Sequence, residues 1–519
     1  METFEFTYGR SGGAKREKER MHIGVLADLS GHSAEPLPLV PERKFLEIDV
    51  DNFDDRLADI APRLAFGVPN SVTGQGALAV ELKFTRFEDF EPAAVAAQVP
   101  ILRKLREARV ELAAMRATPR GKELQGKPQL EALLAQAVDD PALRKAILPS
   151  AGAEAPPAPE APAAPQATPQ AEGLSDLEKL LGLKPGQRPA PKPRSAIQGI
   201  FEQALAATPR ISDQAVMNLG ALIERIDEIL SQQLTLVLHH KAFKSLEAAW
   251  RGLSYLVTNV EMDENLKIRV FDISKEDLAA TVLAYQGASW ELHPLRVQMR
   301  HEPFGCLIGD YTFDHQPMNV AVLAGVARLA AELDVPFIAA ASPSLFGLES
   351  WPQLRVTADT GCVFQDAAHS AWSFLGQSAA AKKLFLTLPR FLARLPYGRK
   401  RYPAEGIEYE EKAEIGSTGD FVWCNAAYGL GVVLARGFTQ HGWDARLRSG
   451  GEDCLIEGLP VLYYTDRHGD TEMMCPTEVP LTVDAAATLT QLGLTPLLHM
   501  KNTDRAIFAA APALHRPPK

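Results

Sequence analysis

Apolar residues recur with two different periods along the chain, and each period predicts its own kind of element. Near the N-terminus, residues 22–28 (HIGVLAD) form a compact apolar run and 44–50 a second. Both have the length and β-branched content of strands. In 77–85, Leu78, Val80, Leu82 and Phe84 alternate with small or polar residues, the period of a half-buried strand. Between the second and third runs, Phe53, Leu57, Ile60 and Leu64 fall at helical spacing. After the third, Pro92 suits the first position of a helix whose stripe continues through Val95, Val99, Leu102, Leu105 and Val110. These patterns predict a small α/β unit followed by a helical stretch to about Leu148.

Periodicity then stops. Residues 151–172 hold six prolines and nine alanines, the composition of a semi-extended tether. A second proline-rich patch at 184–194 isolates a short helix at 174–183. Beyond it, Val216, Leu219, Leu222, Ile223, Ile226, Ile229 and Leu230 share one helical face, with Ser212 as N-cap. A second amphipathic helix carries Phe243, Leu246, Trp250, Leu253 and Leu256. Strand-like runs at 266–270, 304–308, 336–340 and 384–388 alternate with helical patterns at 320–333 and 426–438, which predicts α/β architecture. Residues 461–465 and 471–475 flank Asp466–Asp470 as a hairpin. The reading is an α/β fold in two linked units: 1–148, a linker at 149–195, and 196–519.

At 519 residues and 46% hydrophobic, the chain can bury more than one core. A net charge of -11 argues against a nucleic-acid surface, which rests on Lys/Arg neutralisation of phosphates. The five cysteines are too far apart for a CxxC metal site and predict reduced, mostly buried thiols. The N-terminus lacks the apolar core of a secretory signal and no run of eighteen apolar residues occurs, so a cytoplasmic protein without membrane insertion is expected.

Candidate chemistry is sparse. A Walker loop and a GxSxG elbow are absent, and Ser342 follows a strand without the elbow's glycines. Gly429 and Gly431 form a GxG inside an apolar helical pattern, which favours close helix packing over dinucleotide binding. His301-Glu302 is followed by Pro303, which breaks the helix a zincin motif needs. Asp310, Asp314 and His315, directly after a buried strand, could ligate a metal, but turn chemistry and capping are favoured. His239 and His240, at a junction of two helices, are read as caps rather than general bases. No catalytic residue, cofactor or metal is assigned, and an enzyme is not expected; a metal-dependent enzyme built on Asp310, Asp314 and His315 is the remote alternative.

A resemblance carries more than these motifs do. GVLADLSGH (24–32), ERKF (42–45), DNFD (51–54), APRL (61–64), VPN (68–70) and FEDFEP (87–92) resemble, in order, the small subunit of the type VI secretion contractile sheath (TssB/VipA-like). LHHKAFKSLEAAWRGLSYLV (238–257), EPFGCLIGDYTFDH (302–315), PFIAAASPSLFGL (336–348), TLPRFLARLPYG (387–398), VWCNAAYGL (422–430), EGLPV (457–461) and CPTEVPLT (475–482) are similar to the large subunit (TssC/VipB-like).

The resemblance implies two subunits fused end to end that interlock as a pair, stack with other sheath subunits around an inner tube protein, meet a baseplate, and drive the tube by contraction. It implies no cofactor and no catalysis. Relative to that family, the C-terminal portion of the large subunit is expected to be missing, so a sheath-associated capping, accessory or degenerate protein is the alternative. Phe4, Phe6 and Tyr8 form a candidate donated strand. Leu174, Leu177, Leu180 and Leu181, on one helical face, are the candidate binding helix for an AAA+ recycling unfoldase; an ordinary docking helix is the favoured reading.

Overall fold

The computed structural model describes residues 6–7, 20–72, 74–117, 213–354, 364, 366–415, 417–447 and 450–516. The tether, the helix expected at 174–183, Ser212 and the stretch from 118 to Leu148 lie outside them. Before the tether come β1 (Phe6–Thr7), β2 (Met21–Ala27), β3 (Leu46–Ile48), α1 (Phe53–Ile60), β4 (Arg63–Pro69), β5 (Ala77–Lys83), α2 (Pro92–Gln98) and α3 (Pro100–Ala117).

After the tether, α4 (Asp213–Leu238) and α5 (Lys241–Thr258) lead into β6 (Leu266–Asp272). Then follow α6 (Lys275–Ala284), α7 (Pro294–Met299), β7 (Phe304–Phe313), α8 (Pro317–Glu332), β8 (Phe337–Ala341), α9 (Ser370–Gln377), β9 (Leu384–Leu388) and β10 (Phe391–Leu392). The chain continues through β11 (Trp423–Cys424), α10 (Ala426–His441), β12 (Arg446–Leu447), β13 (Leu455–Ile456), the hairpin β14 (Tyr463–Thr465) and β15 (Thr471–Met473), α11 (Val483–Gln491), β16 (Thr495–His499) and β17 (Ala506–Phe508).

Two compact units divide these elements. The first holds Met1–Asn70, Ala77–Arg103 and Ser231–Lys519; the second holds Ser71–Gly76 and Lys104–Leu230. In the second, Leu105, Leu112, Ile226 and Ile229 are buried, and Arg109 pairs with Asp227 at 2.9 Å.

The first unit is organised by a nine-stranded sheet in the order β13-β17-β16-β9-β8-β7-β2-β6-β3. Strand β2, from before the tether, lies between β6 and β7, both from after it, and runs parallel to each. All seven of its residues are buried, which explains why MHIGVLA reads as a continuous apolar run: a parallel strand covered on both faces has no solvent side to alternate toward. Strand β3 closes one edge antiparallel to β6, while the other edge continues through β17, antiparallel to β16, and β13, antiparallel to β17. The main core, with Phe271, Phe313, Phe337 and Leu386 among its fully buried members, gathers around this sheet. Segments 1–148 and 196–519 therefore both contribute strands to one α/β sheet.

Local chemistry explains where elements stop. Pro92 does occupy the first turn of α2, but the stripe expected to run unbroken to Val110 is interrupted. Val99 is extended before Pro100, which starts α3 afresh. Val110 is 56% exposed and Leu112 is buried in its place. Helix α1 ends at Ala61, whose φ of 52° turns the chain out of the helix, so Leu64 belongs to β4 rather than to the helical face. Strand β4, paired along its whole length with β5, is the strand that the helical spacing concealed. The GxG of α10 packs closely: a Cβ on Gly431 would lie 2.5 Å from Ile308 Cδ1.

Candidate functional site

Helix α5 buries the stripe Phe243, Leu246, Trp250, Leu253 and Leu256, yet Glu247 sits on the same face and is fully buried. A carboxylate there requires neutralisation. Arg394, from the excursion between β10 and β11, supplies it: Nε donates to Glu247 Oε1 at 2.6 Å and Nη1 to Glu411 Oε2 at 2.7 Å. Arg251 adds a second guanidinium to Glu247 at 2.8 Å, and His239 Nε2 lies 2.9 Å from Glu411 Oε1. Burial alone would raise the Glu411 carboxyl. Arg394, with hydrogen bonds from His239, Arg394 and the Tyr397 N–H, instead brings it down to about 2. His240 caps the start of α5, accepting from the Ala242 N–H, and stacks on Phe66 at 4.0 Å. The two histidines thus serve different neighbours, and His240 caps the following helix rather than the preceding one.

A cleft of about 850 Å³ opens at the carboxyl ends of β2, β7 and β8, where parallel α/β sheets commonly offer concave space. Its lining includes Asp28, His32, Lys244, Lys275, Asp310 and Arg390. Burial, with the nearby Asp28 charge adding to it, pushes the Asp310 carboxyl up to about 6 against the opposing effect of Asn425, Tyr428 and Arg390. Burial likewise raises Asp28, with Asp272 reinforcing it. The cations are already engaged. Lys275 Nζ donates to Thr312 O at 2.6 Å, Lys244 Nζ donates to Gly419 O, and Arg390 grips Glu478 through Nε and Nη2 at 2.8 Å each. The cleft offers mixed charge and, at Asp310, a group that exchanges a proton near pH 6.

Asp310, Asp314 and His315 do not converge. Asp310 faces the cleft, whereas Asp314 accepts from the Gln316 N–H, Asn319 Nδ2 and Ser344 Oγ at 3.0, 2.5 and 2.7 Å. His315 stacks on His369 with ring centroids 4.0 Å apart. Among the described residues no group of three or more His, Cys, Asp or Glu is placed to hold a metal ion. Ser342 caps a short turn, accepting from the Ser344 N–H.

Of the candidate assembly residues, Phe6 lies in β1, which pairs antiparallel with β12, Phe6 opposite Leu447. Phe4 and Tyr8 fall outside the described residues, as do Leu174, Leu177, Leu180 and Leu181. Sequence reasoning passed over Glu247, Arg251, Arg394 and Glu411. One signal was present: Glu247 interrupts an apolar stripe at a position where only a paired charge is tolerated. Among the described residues no helix is long and apolar enough to cross a membrane.

Residues 220–515 match the family described as "EvpB/VC_A0108, tail sheath N-terminal domain", and residues 4–152 match "Type VI secretion system, VipA, VC_A0107 or Hcp2". The type VI secretion system sheath protein TssC1 of Pseudomonas aeruginosa is 39% identical over 334 residues, covering 62% of this chain and 66% of TssC1. The sheath protein TssB1 of the same organism is 46% identical over 136 residues, 26% of this chain and 76% of TssB1. The chain thus spans just under two thirds of the length of TssC1. Because the tail sheath match extends over more than half of the polypeptide, the chain belongs to the type VI secretion tail sheath family, with a VipA-type segment and a VipB-type domain joined in one molecule.

Proposed function

We propose that the chain is a structural, non-enzymatic subunit of a contractile sheath, assembling with further copies of itself around an inner tube whose expulsion the sheath drives. The observation that carries this reading is the position of β2. The VipA-type segment supplies a fully buried central strand to a sheet whose flanking strands come from the VipB-type domain. Such a pair cannot separate without exposing the core, so it behaves as one building block. The tether makes the pairing intramolecular, at an effective concentration of roughly millimolar, and fixes one-to-one stoichiometry.

In this reading the partners are other sheath subunits, the inner tube protein and a baseplate, and the location is the cytoplasm. In assembly the segment bearing Phe4, Phe6 and Tyr8 exchanges the pairing that Phe6–Thr7 makes with β12 of its own chain for the equivalent edge of a neighbouring copy, since an extended segment adds to a sheet edge through main-chain hydrogen bonds. Leu174, Leu177, Leu180 and Leu181, spaced in the sequence for one helical face, are read first as a segment that docks on its own chain and second as one that a recycling AAA+ unfoldase takes.

Negative-stain electron microscopy of the full chain, alone and with the cognate inner tube protein, tests the proposal. Tubes or stacked rings are expected. Compact particles in both samples would replace it with a capping or accessory role.

A further inference from the structure

The nine-stranded sheet ends in two short strands, β3 and β13, and an edge strand offers main-chain groups on which another chain can pair. In an antiparallel edge strand every second residue turns its N–H and C=O away from the sheet. The neighbouring strands show which residues these are. Met21 N–H donates to Asn265 O and Ile273 N–H to Ala27 O, so the odd-numbered residues along β6 direct their main-chain groups at β2. Glu47 stands opposite one of them, Arg269, and therefore faces outward, as does Asp49 two residues on. At the other edge Met500 N–H donates to Arg505 O and Ala509 N–H to Pro496 O, which commits the odd-numbered residues along β17 to β16. Leu455, opposite Ile507, faces outward there, and Glu457 follows it in the same sense.

Side chains of the same compact unit occupy both edges. At β3, Arg56 Nε donates to Glu47 O at 2.9 Å, and the Asp49 N–H donates to Asn52 Oδ1 at 3.0 Å. At β13, Arg436 Nη1 donates to Leu455 O at 2.8 Å, and just past the strand Tyr255 Oη donates to Glu457 O at 2.9 Å. No single turn motif produces this pattern, because Asn52 and Arg56 belong to the start of α1, Arg436 to α10 and Tyr255 to α5.

We infer that these four side chains close the core sheet to strand addition, so that a second copy of this chain cannot extend it from either edge. A strand arriving at β3 or β13 has to displace an existing hydrogen bond for each one it gains at these groups, which leaves little net stabilisation. On the assembly proposed above, which this inference refines, strand exchange between copies then falls outside the core sheet, where β1 and β12 form a separate pair.

The test compares full-length wild type with an uncapped variant, Asn52→Ala, Arg56→Met, Tyr255→Phe and Arg436→Met, by sedimentation, thioflavin T fluorescence and negative-stain microscopy across a concentration series. The uncapped variant is expected to form irregular, thioflavin-positive particles at a lower concentration than wild type, by roughly 5-fold for each group freed, the value of one net hydrogen bond. Tyr255→Phe alone removes a single hydroxyl and shows one such step. Arg56→Lys with Arg436→Lys keeps a donor within reach of each edge and associates as wild type does. Melting of dilute samples separates edge pairing from misfolding: the uncapped variant melts close to wild type, and should it melt far below, Tyr255→Phe decides the matter by itself. Association of the uncapped variant and of Tyr255→Phe only at the wild-type concentration overturns the inference. So does association of the lysine pair at the uncapped variant's concentration, since the missing donors are then not the cause. A wild type that forms neither tubes nor rings overturns the sheath reading, while an uncapped variant that still pairs at lower concentration leaves the closed edges standing.

Discussion

Around Arg394 each charged nitrogen finds an acceptor: two carboxylates bracket the guanidinium and the Leu395 carbonyl takes a further bond at 3.1 Å. In the cleft, Asp310 has the neutral side chains of Asn425 and Tyr428 beside it, Asp28 repels it, and Arg390, engaged with Glu478, offsets this only weakly. Both groups are withdrawn from water, and their fates differ because of what faces them. The paired Glu411 keeps its charge down to about pH 2, whereas the unpaired Asp310 takes a proton near pH 6. Burial sets the cost in each case; the neighbour decides whether the charge survives it.

The harshest way to break this contrast is to remove the centre of the network. Arg394→Met leaves Glu247 and Glu411 buried without their main cation and is expected to lose about 3–5 kcal/mol of stability, read from urea unfolding midpoints. Replacing all three residues together by apolar ones of similar size should restore most of that loss, since no charge then remains unpaired. The pH dependence sharpens the point. The Glu411 carboxyl is depressed from 4.5, so its stabilising contribution is complete above about pH 4.5 and disappears as pH falls through 2. Acid unfolding over that window should flatten in Arg394→Met.

Asp310 gives the opposite sign. Its carboxyl is raised from 3.8 to about 6, so folding favours the neutral form, and that contribution is present below 3.8 and lost as pH rises through 6. Asp310→Asn carries no charge at any pH. It should match wild type below pH 4 and exceed it above pH 6 by up to about 3 kcal/mol, the value of two pKa units. Equal stability at pH 8 would show that a cation in the cleft already neutralises Asp310.

Much of the fold was legible because burial on both faces writes itself as unbroken apolar sequence. Runs such as HIGVLAD and LFLTL announced strands, whose parallel direction the sheet supplies, and the DRHGD turn between β14 and β15 announced its hairpin, with Gly469 at φ 92°. Strand β4 escaped because Leu64 satisfies a helical and a strand pattern equally, and only the left-handed turn at Ala61 decides between them. The charge network was harder. Arg394 and Glu247 stand 147 residues apart, and no local period connects them. Conversely, Asp310, Asp314 and His315 are neighbours in sequence and still serve separate purposes, because the strand end and the turn after it give each side chain different surroundings.

The smallest effect is expected where solvent already does the neutralising. Arg225 and Glu228 on α4 form an i,i+3 pair at 2.9 Å, with side chains 45% and 62% exposed. Water screens both charges, and holding two long side chains in one geometry costs conformational entropy that offsets the Coulomb gain. Arg225→Ala should therefore shift the unfolding midpoint by about 0.3 kcal/mol or less, and the shift should vanish in 1 M salt, where the screening length falls to about 3 Å. A loss approaching that of Arg394→Met would mean that exposure, rather than pairing, had been misjudged as the variable that separates these ion pairs. A negligible loss leaves burial with incomplete pairing as the condition under which a charge in this protein becomes consequential.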